Sequence, residues 1–268
     1  MTGASSGIGA AVARALADAG HPVALGARRV ARCEQLAAQI RADGGEAVAL
    51  PLDVADGASA EAFVKAATEA LGPLEVLVSN AGNNGPGSAL DTDPAAFAAT
   101  LQVNVLGAHR LVRLVVPDMV ARRRGDVVFV TSDTARQARP GTSAYVTSKW
   151  GLEGYARALQ LELEGTGVRA SIVQPGQTRT EMGLDWDPGL TTRILEDWIR
   201  FGFARHGNFL RPDAVAGAVL AAVSAPRGTH LTMIEVQPEA PIAAATPPAT
   251  HMVEDRDAPP ATEKGGSP

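Results

Sequence analysis

Short apolar runs rich in β-branched residues recur along the chain at Val23 to Leu25, Ala47 to Leu50, Val76 to Val78, Val127 to Val130 and Ala170 to Val173. Each is separated from the next by a stretch of helical character. Runs this short, apolar throughout rather than alternating with polar positions, suit strands buried on both faces. Their alternation with helices predicts an α/β fold, a doubly wound parallel sheet with helices on both sides. Gly20 closes a helix from Ala10 to Ala19, and the Asp-Pro pair at Asp93 opens one running to Met119. The alternation breaks down from about Gly183 to Arg211. It resumes with a helix over Asp213 to Val223 and a last strand over Leu231 to Val236. Beyond Gln237 the residues turn to Pro, Ala, Thr and charge, with little that can pack, so residues 239–268 are expected to be a disordered tail. No internal repeat is visible.

The bulk numbers narrow the classes of function. With 268 residues and 46% hydrophobic content, the chain can bury one sizeable core. A net charge of −5 offers no attraction for a phosphate backbone or an anionic membrane, so neither nucleic acid nor membrane is an expected partner. Cys33 is the single cysteine and cannot form an internal disulfide; it is expected on a surface helix with no role. No basic, apolar leader opens the chain and no run approaches the ~20 residues needed to span a bilayer. A cytoplasmic enzyme fits these facts.

Candidate chemistry begins at the N-terminus. The run Thr2-Gly3-Ala4-Ser5-Ser6-Gly7-Ile8-Gly9 leads straight into a helix, where glycines let the backbone approach a pyrophosphate held at the helix N-terminus. A glycine loop alone is weak evidence. This one has the spacing Gly-x-x-x-Gly-x-Gly, and the chain goes on to supply Asn80-Ala81-Gly82, Asn104, Ser132, Tyr145-x-x-x-Lys149 and Pro175-Gly176 in order, with Ser132 thirteen residues before Tyr145. In these motifs, from Met1 to about Pro238, the chain resembles the short-chain dehydrogenase/reductase family.

The resemblance implies a Rossmann-type domain over 1–238, with a mobile helical lid at about 183–211 above the substrate. It also places a strand before the glycine loop, in the centre of the sheet, whereas here the chain opens at the loop itself. Such a sheet would have unpaired backbone groups, an empty slot and an unanchored turn from Gly3 to Gly9. Two readings stay open: a start assigned too late, at an in-frame codon, or a fragment with impaired folding.

For the chemistry, the resemblance makes Tyr145 the general acid/base of a carbonyl/alcohol oxidoreductase. A phenol ionises near ~10, so it needs help at neutral pH. Lys149, one helical turn on, is expected to stabilise the phenolate and to bind the nicotinamide ribose. Ser132 is placed to hydrogen-bond the carbonyl oxygen, and Asn104 looks like the helix residue that holds a water connecting Lys149 to solvent. Gly3, Ser5, Ser6, Gly7, Ile8 and Gly9 would cradle the pyrophosphate. Asp53 and Val54 resemble the adenine contact, and Asn80, Ala81 and Gly82 line the middle of the cofactor. Pro175, Gly176, Thr178 and Thr180 resemble the segment that grips the carboxamide. No metal is called for.

After the strand at Val23, an NAD-selective site would present an acidic residue to the adenosine ribose. Here the position is Ala27, followed by Arg28 and Arg29, which can pair with a 2′-phosphate; the expected cofactor is NADP(H). Five of the eleven aromatic residues, Trp186, Trp198, Phe201, Phe203 and Phe209, fall in the lid. They point either to a hydrophobic carbonyl or alcohol substrate or to packing of the lid itself. Arg205 and His206 stand ready for an acidic group, with nothing to fix their direction. Small residues at Gly151, Gly154, Ala156 and Ala158 suit close helix pairing, and the family usually pairs these helices, so a homotetramer or homodimer is expected. The competing class is a cofactor-binding scaffold with little catalysis.

Overall fold

The computed structural model describes residues 1–204 and 206–242. Arg205 and the tail from residue 243 onward, expected to be disordered, lie outside the described residues. Helices α1 (Gly7–Asp18), α2 (Val30–Ala42), α3 (Gly57–Leu71), α4 (Pro94–Leu101), α5 (Gly107–Ala121), α6 (Ser143–Glu162), α7 (Pro188–Arg200) and α8 (Pro212–Ser224) alternate with strands. The strands are β1 (Val23–Ala27), β2 (Ala47–Pro51), β3 (Val76–Ser79), β4 (Gly125–Val130), β5 (Val168–Pro175) and β6 (Met233–Val236). Every predicted strand is present, and all pair in parallel. The Asp-Pro start is a true cap: Asp93 Oδ1 accepts from the backbone of Ala95 at 2.8 Å, and Pro94 fills the first helical position. The single helix expected from Asp93 to Met119 is instead α4 and α5 joined through a π-helical turn over Gln102–Leu106. Residue periodicity cannot reveal that one extra residue in the turn.

Side chains alternate along each strand and divide the core into two layers. Leu25, Val78, Val128, Val130 and Val173 point toward α1, α2 and α8, while Leu77, Val127, Phe129 and Ile172 point toward α3, α5 and α6. Cys33 belongs to the first layer and is 0% exposed, which corrects the expected surface position. Cys33, Leu36, Ala37 and Ile40 form an i, i+3, i+4, i+7 stripe that α2 turns inward. Burial pushes the Cys33 thiol pKa up, away from the reactive range.

The sheet is split. Strands β1 and β2 form one piece, and β3, β4, β5 and β6 form the other in that order. Between the edges of β1 and β3 runs a slot that, among the described residues, Met1 to Ala4 alone enter. There Met1 accepts from Gly26 N–H at 2.9 Å, Thr2 N–H reaches Val78 at 3.1 Å, and Ala4 N–H reaches Gly26 at 3.2 Å. The Met1 amine donates to Ala24 at 2.9 Å, and burial pushes its pKa down to about 5. Below this bridge lies a cavity of about 310 Å³ lined by Leu16, Ala24, Phe63, Val76, Leu111 and Val115, among others. The split and the slot match the expectation. The turn is tied to the C-terminal ends of β1 and β3 by these few backbone bonds.

Candidate active site

The glycine loop is shaped by close approach and by one backbone conformation. Gly3 has φ +65°, in the left-handed region. A Cβ on Gly9 would sit 2.8 Å from Asn80 Nδ2, so only glycine lets α1 begin this near the end of β3. Thr2 stitches the two together: its hydroxyl accepts from the backbone N–H groups of Asn80 and Ala81, both at 2.9 Å. Asn80 Nδ2 in turn donates to the Thr2 carbonyl at 3.0 Å. Thr2 stood in the glycine motif but was not singled out, because its role depends on an element about eighty positions away.

Above this loop opens a cleft of about 980 Å³. Gly3, Ser5, Ser6, Gly7, Ile8, Gly9, Arg28, Arg29, Asp53, Val54, Asn80, Ala81, Gly82 and Thr180 all line it, as the motifs anticipated. Pro175, Gly176 and Thr178 stand outside its lining, and so do Tyr145 and Lys149. Gly176 N–H bonds Val236 at 2.8 Å, and the Thr178 hydroxyl bonds the Gly176 carbonyl at 2.9 Å, so they shape the chain that delivers Thr180. The lack of side chains at Gly3 and Gly9, the open N-terminus of α1 and two flanking arginines fit a dinucleotide.

Ser132, Tyr145 and Lys149 converge at the end of β4. Ser132 caps a short turn over Asp133–Ala135, its Oγ accepting from Thr134 N–H at 3.3 Å and donating to Asp133 Oδ1 at 3.3 Å. Tyr145 is buried, and burial pushes its phenol up to about 12; the Asp133 charge adds to the rise, while the Ser132 hydroxyl and Arg139 oppose it. Lys149 Nζ donates to the Val130 carbonyl at 2.9 Å and lies 5.6 Å from the centre of the Tyr145 ring. The lysine therefore sits against the ring face, and without cofactor the phenol is held far from ionisation.

Burial lowers the Lys149 ammonium from 10.5 to about 8. Across that interval the unfolded chain holds the proton more tightly, so stability rises with pH from 8 to 10.5, and the whole penalty is present below pH 8. Lys149→Met keeps the volume and removes the buried charge. It is expected to raise the melting temperature of the cofactor-free protein at pH 7.5 by ~2–4 °C, to flatten the alkaline rise, and to lose turnover. Melting curves at pH 7.5 and 10 test this; a variant less stable than wild type at pH 7.5 contradicts it.

Asn104 lies in the π turn and is 1% exposed. Its Oδ1 accepts from Asn83 N–H at 2.8 Å, and its Nδ2 donates to the Asn83 carbonyl at 2.9 Å and to Ser148 Oγ at 2.8 Å. Both amide hydrogens are thus spent tying the 80–83 segment to the helix that carries Tyr145.

Sequence reasoning passed over Asp133 and Arg139, a buried ion pair one residue from Ser132. The only available signal was the acidic residue after the serine. Burial raises the Asp133 pKa, and Arg139 opposes that rise. The Arg139 guanidinium stacks 5.2 Å from the Trp198 ring, while Trp198 Nε1 donates to the Pro140 carbonyl at 2.9 Å. Trp186 Nε1 likewise donates to Asn84 at 3.1 Å. The tryptophans therefore pin α7 and its approach onto the domain, whereas Phe201 and Phe209 are 55% and 49% exposed. Packing accounts for the two tryptophans of the aromatic segment and not for the exposed Phe201 and Phe209.

Known proteins give an independent comparison. The model of the family described as short chain dehydrogenase matches residues 1–190. A ketoacyl reductase of the monensin polyketide synthase from Streptomyces virginiae is 40% identical over 226 residues, which are 82% of this chain and 87% of that protein. A glycine betaine reductase from Emericella nidulans is 38% identical across 89% of this chain, which spans only 18% of that protein's length. Among solved structures, an alcohol dehydrogenase from Thermococcus sibiricus complexed with 5-hydroxy-NADP superposes with a TM-score of 0.76 at 30% identity, covering 88% of this chain and 94% of that one. An actinorhodin polyketide ketoreductase with NADPH gives 0.77 at 28% identity, with the same coverage of both chains. A Burkholderia phymatum relative solved with NAD shares the fold, with a TM-score of 0.77 at 24% identity over 88% of this chain and 86% of that one.

Proposed function

The chain belongs to the short-chain dehydrogenase/reductase family, and from that premise we propose that it interconverts a ketone and a secondary alcohol by NADP(H)-dependent hydride transfer. The observation that carries this reading is the convergence of Ser132, Tyr145 and Lys149 at the end of β4, with a dinucleotide-sized cleft between the glycine loop and Thr180. Bound NADP(H) supplies or accepts the hydride, and its oxidised ring adds positive charge near the phenol. Ser132 orients the substrate oxygen. Tyr145 gives it a proton in reduction and removes one in oxidation. Lys149, anchored on Val130, holds a positive charge against the Tyr145 ring and presents its remaining N–H groups to the nicotinamide ribose. Asn104 keeps the segment under the cofactor's centre in register with α6.

Arg28 and Arg29 support the phosphorylated cofactor, as do the NADP and NADPH found in the two solved relatives of highest identity named above. The arginines are not equivalent: Arg29 already donates to Ser5 and Ser6 in the glycine loop, whereas among the described residues no such bond places Arg28. Arg29→Ala is expected to weaken NADPH binding at least ~10-fold with less than ~2-fold change for NADH. Arg28→Ala should act in the same direction and less strongly. Equal losses for both cofactors rule the arginines out as selectors.

The ketoacyl reductase and the polyketide ketoreductase named above make a ketone on an acyl chain the first substrate class to assay. Following NADPH absorbance with a panel of ketones and alcohols tests the reading, and a chain that binds NADPH but turns over none of them is the scaffold instead. Leu106, Trp150 and Leu161, on the π turn and α6, are 40%, 52% and 71% exposed, which supports pairing of these helices between copies. Ala156 is 0% exposed and so faces inward rather than outward to a partner.

A further inference from the structure

Glu181 holds Arg29, one of the two arginines that line the adenosine end of the cleft, together with Arg32 beside it. It follows Thr180 beyond β5 and reaches across to the start of α2. Its Oε2 accepts from Arg29 Nη1 at 2.7 Å, and Arg32 Nη1 donates to both of its oxygens, at 2.7 and 2.9 Å. The remainder of the Arg29 guanidinium is committed to the glycine loop: Nε donates to Ser5 Oγ at 3.2 Å, and Nη2 to Ser5 Oγ at 3.0 Å and to Ser6 Oγ at 2.8 Å. One carboxylate thus engages two arginines, offsetting one of their two charges, and joins three segments far apart in sequence.

We infer that Glu181 is a cofactor-specificity residue, which competes with the adenosine 2′-phosphate for Arg29 and Arg32 and must be displaced when NADP(H) enters. The inference rests on the NADP(H) reading above. A carboxylate and a phosphate bind a guanidinium through the same paired N–H donors, so one face of Arg29 cannot serve both. If the carboxylate stayed, it would repel the incoming phosphate. NAD(H), lacking that phosphate, leaves the ion pairs intact. The pairs are also displaceable: the side chains of Arg29, Arg32 and Glu181 are 48%, 47% and 46% exposed, and half-exposed pairs are weak. Because Glu181 lies in the segment leading to α7, the same exchange frees that segment from the glycine loop as the phosphorylated cofactor arrives.

The test is a set of dissociation constants for NADPH, NADH and adenosine 2′,5′-bisphosphate, measured by calorimetry on the full chain. Glu181→Gln is expected to tighten NADPH and the bisphosphate by about 5-fold and to leave NADH within about 2-fold. The gain should vanish when Arg29→Ala is combined with it, since the competition then has no object. Glu181→Ala should repeat the result, and melting curves confirm that both variants fold. Unchanged NADPH affinity in Glu181→Gln, with Arg29→Ala still weakening NADPH selectively, overturns the competition while sparing the cofactor assignment. Equal tightening of NADPH and NADH overturns it as well. A wild-type chain that binds NADH as tightly as NADPH, with Arg29→Ala leaving the ratio untouched, removes the cofactor assignment and the inference together.

Discussion

Tyr145→Phe is expected to lower kcat by at least ~10³-fold, the range that a general acid/base supplies, while the NADPH dissociation constant stays within about 2-fold. The ring remains, so the packing of a buried side chain and its contact with Lys149 are kept. What is lost is the one hydroxyl that can exchange a proton with substrate. A water cannot easily take its place, because Ser132, Asp133 and Tyr145 are all buried. The two directions of reaction should also differ in pH dependence. Burial pushes the phenol up to about 12, so it stays protonated at neutral pH and suits reduction. Oxidation needs the phenolate, and its rate should climb with pH through the alkaline range even with a cationic ring nearby. Retention of more than a few per cent of turnover in Tyr145→Phe sinks the assignment.

Filling the slot between β1 and β3 is expected to raise the melting temperature by ~6–12 °C, a net gain of about 3 kcal/mol at ~2–4 °C per kcal/mol for a domain of this size. The filler is an extension of about six β-forming residues placed before Met1. The register is already set, since Met1 and Thr2 bridge β1 to β3 as a strand would, through Gly26 and Val78. A continuing strand would run between Ala24 and Val76 and pack its side chains on Leu16 from one layer and on Phe63, Leu111 and Val115 from the other. It would also replace a buried amine with an ordinary peptide N–H. Backbone groups left without partners inside a sheet each cost ~1–3 kcal/mol, and no surface change offsets them. Since Met1 to Ala4 also carry the glycine loop, NADPH affinity should rise together with stability. An extension of the same length carrying proline or charge at alternate positions should do neither. Extended and original chains that melt within ~2 °C of each other contradict this account of the slot.

The linear sequence was enough to determine the strands, their parallel arrangement and the glycine loop, because short apolar runs buried on both faces and close backbone approaches leave marks in residue type and spacing. Tyr145, Lys149 and Ser132 were legible for the same reason: two share a helix turn, and the third ends a strand whose length limits where it can lie. Cys33 was misplaced because a stripe on a helix shows which residues lie together but not whether that stripe meets the sheet. The π turn holding Asn104, the Asp133–Arg139 pair and the hold of Glu181 on Arg29 and Arg32 were settled only by tertiary structure. Glu181 meets Arg32 across 149 residues and Asn104 joins Asn83 to Ser148, while Asp133 and Arg139, only six residues apart, meet because the loop between them folds back. Local propensity carries no information about which half-exposed charge will meet which; the packing of β1, α2 and the segment after β5 around one cleft decides it.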